Sequence, residues 1–164
     1  MQNGKLFSGD IFSNITISAP WLTMDEAWNA AELSGIAEDI RRMPMGMHTI
    51  ISEGSGGVSG GQRQRLMIAR AIAPKPKILM FDEATSALDN LTQKTVSESL
   101  DRLKCTRIVI AHRLSTIKQC DRIIVLDKGK IIEDGTYNEL IQNGGFFAEL
   151  VARQRLDNTV KPGA

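Results

Sequence analysis

Val58 to Asp89 reads VSGGQRQRLMIARAIAPKPKILMFDEATSALD: a glycine turn, an arginine-bearing helix, and an apolar strand that runs into two adjacent acids. Ser59, Gly60, Gly61 and Gln62 stand where a helix begins. Glycines let the backbone approach a ligand closely, and the unsatisfied amides of a first helical turn, aligned with the helix dipole, favour an anion. Ser59 adds a hydroxyl donor, although the same four residues also make an ordinary glycine turn before a helix. The following spacing predicts that Leu66, Ile68, Ala69, Ile72 and Ala73 face a core, while Arg63, Arg65 and Arg70 cover the exposed side. Ile78 to Phe81 is a short, continuous apolar run, the pattern of a strand buried on both faces of a parallel sheet. Such a strand delivers Asp82 to the carboxyl edge, where open α/β sheets bind their ligands. In a phosphate site an acid there holds Mg²⁺ directly or through water, and Glu83, pointing elsewhere, is placed to polarise an attacking water. Taken alone, the pair also reads as a strand ending in solvated charge.

Outward from this stretch the order of elements supports an α/β class. The run "RIVIAH", Arg107 to His112, is a second buried strand. Val96, Leu100 and Leu103 recur at helical spacing before it, so the unit is strand, helix, parallel strand. Arg122 to Gly135 reads as two strands joined by a tight turn at Gly129. "TYNE", Thr136 to Glu139, has capping-box form and opens a helix that Gly144 and Gly145 close, followed by a last helix over 146–156 and a loose tail over 157–164. Upstream, "TMDE" at Thr23 to Glu26 is another capping box, with a helix to about Ser34 and a left-handed stop at Gly35. Ile36, Ile40 and Met43 then share a helical face before Pro44 ends it. The stretch from Met43 to Gly57 reads as a loop, with Met43, Met45 and Met47 at alternate positions, and His48 in it has no supporting motif.

Length and composition restrict the function classes. At 164 residues and 42% apolar content the chain is long enough for an ordinary domain with a core. Twenty basic against nineteen acidic residues leave a formal charge of +1, unlike the basic field of a nucleic-acid-binding protein. Cys105 and Cys120 lack CxxC spacing and a nearby His cluster, which fits reduced thiols better than a disulfide or zinc site. The longest apolar runs fall well short of the roughly 20 residues a membrane-spanning helix needs. The segment "MQNGKLFSGD" lacks the order of a signal peptide, and the expectation is a cytosolic chain without a transmembrane segment.

The joint pattern "SGGQRQRL", then "ILMFDEATSALD", then "IVIAHRLSTI" resembles the signature motif, Walker B strand, D-loop and switch histidine of the ATP-binding cassette (ABC) family. "QNGKLFSGDIFSNI" is similar to the segment after that family's Q-loop glutamine, which makes Gln2 that residue. "CDRIIVLDKGKIIEDGTYNELIQNGGFFAELV" is similar to the tail of exporter-type cassettes, and "MPMGMHTIISEGSGGVSGGQRQRL" is most similar to the cassettes of bacteriocin or peptide exporters. The resemblance implies that Ser59, Gly60, Gly61 and Gln62 bind the γ-phosphate of an ATP held mainly by an opposing cassette, in a homodimer or heterodimer. It implies that Asp82 organises Mg²⁺, that Glu83 is the general base or water positioner, and that His112 contacts the γ-phosphate. Asp89 would communicate across the dimer, and Gln2 would reach the metal and the attacking water. Arg63 or Arg65 would be the better candidates for a phosphate or cross-dimer contact. Glu53 would lie in the loop that meets an exporter's transmembrane domain, although "SEGS" departs from the usual order there, and Val58 stands where leucine is commoner.

A GxxxxGK[ST] phosphate loop occurs nowhere in the 164 residues. In the resembling family it lies upstream of the Q-loop glutamine. The expected architecture is therefore a partial P-loop NTPase, RecA-like in its parallel sheet, with an inserted helical subdomain, lacking the Walker A strand and the N-terminal β subdomain. Its divisions would be a truncated nucleotide-binding domain over 1–156, made of a helical subdomain (16–57) and a signature and catalytic α/β core (58–156), then a flexible tail over 157–164. The strands ending at Glu83 and His112 would then show an exposed apolar edge and associate through it. The functional expectation is the ATP-hydrolysing motor part of an exporter at the cytoplasmic face of the plasma or inner membrane, inactive as a fragment, with no nucleic-acid partner. The alternative is a non-catalytic module that pairs with an intact cassette. Heads of chromosome-maintenance ATPases fit less well, because those follow "SGG" with an acid and emerge from coiled coils.

Overall fold

The structure is a computed structural model that describes residues 5–52, 57–82, 96, 98–101, 103, 105–110 and 114–159; the side chains of Phe81, Asp82, Ser115 and residues 156–159 are not among those described. The chain folds as two compact units, Met1–Ile110 and Ala111–Ala164.

In the first unit Asp10 begins the helical order. Its carboxylate accepts from the Ser13 backbone amide (2.7 Å) and so caps α1, Ile11–Thr16. Burial pushes the Asp10 pKa up, and hydrogen bonds from Ser13 and from His48, whose Nδ1 lies 3.1 Å away, outweigh it and bring the value below the ordinary 3.8. His48 thus has a partner that its sequence context does not disclose. A capping box at Thr23 and Glu26 opens α2, Met24–Leu33, and Gly35 leaves it at φ +71°, as the sequence predicts. The short α3, Ala37–Arg41, buries Ile40, and a 3₁₀ turn spans Gly46–His48. The stretch 43–57 is less loop-like than expected: Ile50–Ile51 (β2) pairs antiparallel with Gly9–Asp10 (β1). Two-residue strands carry too little periodicity to be read in advance.

The glycine turn opens α4, Gly60–Ile72, whose Leu66, Ile68, Ala69 and Ile72, with Ala73 just beyond, are all buried as the spacing predicts. They pack with Ile11 and Ile15 of α1, Ala27, Ala30 and Ala31 of α2, and Ile36 and Ile40. The expected second layer is present as well. β3, Ile78–Asp82, and β4, Thr106–Ile110, are parallel, in a register that sets Asp82 opposite Ile110. Residues 96 and 98–101 between them are helical, with Val96 and Leu100 in the core. Burial on both faces is corrected. Leu79 is buried, whereas Ile78 (59%), Met80 (68%), Ile108 (47%) and Ile110 (56%) are largely exposed. Met80 lies opposite Ile108, so these side chains share one face by the two-residue alternation of strands. Among the described residues β3 and β4 pair only with each other, and the helical core covers only the Leu79 side.

In the second unit Leu114–Ile117 forms α5, and β5 (Ile123–Asp127) and β6 (Lys130–Gly135) make an antiparallel hairpin. Lys128 and Gly129 take φ +47° and +76° at its turn, the two left-handed residues that a tight two-residue connection needs. Arg122 grips Asp134 with two hydrogen bonds of 2.8 and 2.6 Å. Thr136 and Glu139 close the predicted capping box at the start of α6, Tyr137–Gln142, and Gly144 ends it at φ +64°. α7, Phe146–Thr159, continues past the expected boundary at 156 into part of the expected tail. Leu140, Phe147 and Val151 form this unit's core, and Tyr137 meets Phe147 edge to face.

The second capping box carries a pH signature. The Thr136 backbone amide, then its hydroxyl, holds the Glu139 carboxyl below its ordinary 4.5. A depressed folded pKa contributes stability that is present above pH 4.5 and lost as pH falls through the lower folded value. Circular dichroism of α6 and α7 between about pH 5 and pH 3 should show a loss of unfolding resistance. Glu139→Gln, which keeps an oxygen for the Thr136 amide, should lessen that dependence, the remainder coming from carboxyls such as Asp134, which Arg122 also holds below its ordinary value; an unchanged slope would count against the assignment.

Candidate functional site

The glycine turn is a built helix start. Ser59 is extended (φ −69°, ψ 165°), its Oγ accepts from the Gln62 amide at 3.2 Å, and its own amide donates to Gln62 Oε1 at 2.8 Å. The Arg63 amide reaches the Ser59 carbonyl at 2.9 Å. A helix cannot use its first amides internally, so with Gln62 and Arg63 satisfied the donors left at the mouth are those of Gly60 and Gly61. Ser59 and Gly60 are exposed, the first turn carries no acid, and a Cβ at Gly60 would meet nothing within 4 Å. Two backbone amides and the Ser59 O–H, at the positive end of a 13-residue helix, suit an anion such as a phosphate. Val58, beneath the turn, is buried and anchors it to the core.

Two of the three arginines of α4, Arg65 and Arg70, behave differently from the expectation of an exposed cover. Arg65, only 15% exposed in its side chain, pairs with Asp39 at 2.8 Å and donates to the Gly35 carbonyl at 2.5 Å. Asp39 also accepts from Gln62 Nε2 at 2.8 Å. Arg70 turns into the first unit: Nε donates to the Asn14 carbonyl at 2.8 Å, Nη2 to Asn14 Oδ1 at 2.7 Å and Nη1 to the Lys5 carbonyl at 3.2 Å. Burial lowers its pKa. Both arginines are therefore held inward by polar groups 26 to 65 positions away, which no local pattern reveals.

Asp82 ends β3 beside Ile110 at the carboxyl end of two parallel strands, the edge at which the sequence placed its chemistry. Its side chain, and Gln2, Glu53, Glu83, Asp89 and His112 altogether, lie outside the described residues. The signature residues Ser59 to Gln62 are brought together, and their joint use with the strand-end acids stays an expectation. Among the described residues no cluster of three His, Cys, Asp or Glu side chains could hold a metal, and no helix is long and apolar enough to cross a membrane.

A mixed α/β unit with an anion-suited glycine turn before a core helix, and an acid at the end of the next strand, has the arrangement of α/β proteins that bind phosphate groups. Comparison narrows it. The ABC transporter family profile matches residues 6–86. ABC transporter B family member 2 of Dictyostelium discoideum is 48% identical over 155 residues, which are 93% of this chain and 11% of that protein. The alpha-hemolysin translocation ATP-binding protein HlyB of Escherichia coli O157:H7 is 48% identical over 143 residues, 86% of this chain and 20% of that protein. A solved bacterial Atm1-family ABC exporter with ATP bound superposes with a TM-score of 0.89 at 38% identity, over 99% of this chain and 28% of that one. The chain belongs to the ABC transporter family as a nucleotide-binding domain sequence homologous to exporters. It spans a fifth or less of the length of these two curated relatives.

Proposed function

We propose that this chain is part of the ATP-hydrolysing motor of an ABC exporter that drives a peptide or other substrate across a membrane. The observation that carries the reading is the Ser59-Gly60-Gly61 helix start, exposed at Ser59 and Gly60, whose Gly60 and Gly61 amides have no partner among the described residues and whose first turn itself carries no acid, in a chain homologous to exporters. Ser59, Gly60 and Gly61 with Gln62 would meet the γ-phosphate of an ATP held by a second cassette. Asp82 would hold Mg²⁺, with Gln2; Glu83 would take the proton of an attacking water; His112 would steady the phosphate; Asp89 would signal across the pair. ATP and Mg²⁺, when bound, supply the triphosphate and its counter-charge. The cradle that a GxxxxGK[ST] loop provides would come from outside these 164 residues, as would the transmembrane domain, so that this chain alone turns over no ATP. The solved exporter with ATP bound and a relative named for alpha-hemolysin translocation support the export reading.

Gly60→Ala tests it cleanly. The added methyl meets open space, so the thermal midpoint of the chain should hold within about 2 °C. In the complete protein that carries this chain, the same methyl stands between the amides and the phosphate, and Mg-ATP turnover should fall at least about tenfold. Undiminished turnover in Gly60→Ala, or clear turnover by the 164-residue chain itself, would refute the proposal.

A further inference from the structure

The carboxylate of Asp39 lies at the centre of a network that the γ-phosphate reading does not use. A carboxylate can only accept hydrogen bonds. Asp39 Oδ1 takes Gln62 Nε2 at 2.8 Å, and that contact dictates which end of the Gln62 carboxamide faces which way. With nitrogen turned to Asp39, the Gln62 oxygen is presented to the Ser59 amide at 2.8 Å and completes the capping box. If the carboxamide were reversed, its oxygen would face the Asp39 oxygen and its NH₂ would face the Ser59 N–H, an acceptor against an acceptor and a donor against a donor. Arg65 fixes the other half of the carboxylate, Oδ2, at 2.8 Å, and is itself tied to the Gly35 carbonyl and, at 3.4 Å, to the Gly61 carbonyl. Gly35 ends α2 and Gly61 lies within the glycine turn, so one acid on α3 ties the turn to the helical layer behind it.

We infer that Asp39 is a positioning residue for the glycine turn: by orienting the Gln62 carboxamide it takes up the Ser59 amide and holds the Gly60 and Gly61 amides pointing outward as a rigid pair. Gln62 then acts through its cap, with its oxygen committed to Ser59 and one of its two N–H groups to Asp39. This deepens the proposed γ-phosphate role of the turn and rests on that reading for its functional part. Its structural part stands on the geometry alone.

Amide hydrogen exchange of the 164-residue chain, resolved at Ser59, reads the structural part directly. Asp39→Ala should speed exchange at Ser59 about tenfold, as expected when a buried-side partner of a capping pair is lost, while Ala69 and Ile72 in the same helix keep their protection. Asp39→Asn, whose carbonyl oxygen can still accept from Gln62, should rescue most of that protection. Gln62→Ala should reproduce the full Ser59 effect. Unchanged exchange at Ser59 in Asp39→Ala, with a clear increase in Gln62→Ala, would overturn the inference, since the cap would then form without Asp39. In the complete protein, Asp39→Ala should lower kcat for ATP about fivefold or more with KM within about twofold, and Asp39→Asn should recover it. If Gly60→Ala abolishes turnover while Asp39→Ala leaves kcat unchanged, the positioning role fails and the phosphate reading survives. If neither variant alters turnover, the phosphate reading fails while the exchange result still decides the structure.

Discussion

Arg70→Ala is expected to lower the unfolding free energy of the first unit by about 3 kcal/mol, because it leaves three carbonyl-type acceptors behind a half-buried cavity. The guanidinium lies with its carbon 5.0 Å from the centre of the Phe7 ring and reaches the Asn14 carbonyl, Asn14 Oδ1 and the Lys5 carbonyl. Asn14 is 2% exposed, and its Oδ1 also accepts from the Phe7 amide while its Nδ2 donates to the Phe7 and Asp10 carbonyls. One arginine and one asparagine therefore seat the segment 5–7 and the start of α1 on the flank of α4. Lysine cannot replace the fork: a single ammonium on a flexible stem reaches one or two of the three oxygens and is hydrated more strongly, so Arg70→Lys should recover less than half of the loss. Both tryptophans, Trp21 and Trp28, lie in the first unit, so tryptophan fluorescence during urea unfolding follows this unit by itself. A midpoint shift equivalent to less than about 1 kcal/mol would show that the network is replaceable by water.

What the sequence disclosed about this region divides along physical lines. Signals set by near neighbours were legible: the Thr23, Ser59 and Thr136 helix starts, the glycine stops, and the core face of α4 all follow from residues within four positions of each other. The Ser59–Gln62 capping box is overshadowed in the sequence by the glycines between them, although serine followed three places later by glutamine is a capping-box spacing. The partners of Asp39, Arg65 and Arg70 were not legible, since a side chain's long-range contact leaves no periodic trace and an arginine on a helix reads as a solvated charge until its neighbour is known. Likewise the apolar run at Ile78 to Phe81 gave the strand and its parallel partner, while the one-sided cover of the pair depends on what packs against each face. Asp82 falls at the carboxyl end of its strand, and the other residues proposed for catalysis lie outside the described residues.

Leu66→Ala should cost about 2–5 kcal/mol, while Met80→Ala, on the same unit and with a side chain of similar size, should cost well under about 1 kcal/mol. Leu66 is 1% exposed and lies one residue beyond Arg65 on the helix that starts at the glycine turn; Met80 is 68% exposed. Truncating Leu66 removes transfer free energy and also opens a void in the core that α4 shares with Ile11 and Ile15 of α1 and Ala27, Ala30 and Ala31 of α2, and the cost depends on how far those close-packed side chains can relax into it. Met80 has already left most of its surface in water, so alanine there forfeits little burial and creates no enclosed space. The contrast also separates two consequences at the site. Loss of Leu66 loosens the floor of α4 directly behind Gln62, and amide exchange should rise along the whole helix, from the Ser59 cap to Ile72. Met80→Ala should leave every one of those amides as protected as before. Equal destabilisation by the two variants would mean that the uncovered face of β3 is buried in solution, and the exposed apolar row at Ile78, Met80, Ile108 and Ile110 would then have to be covered there by another surface.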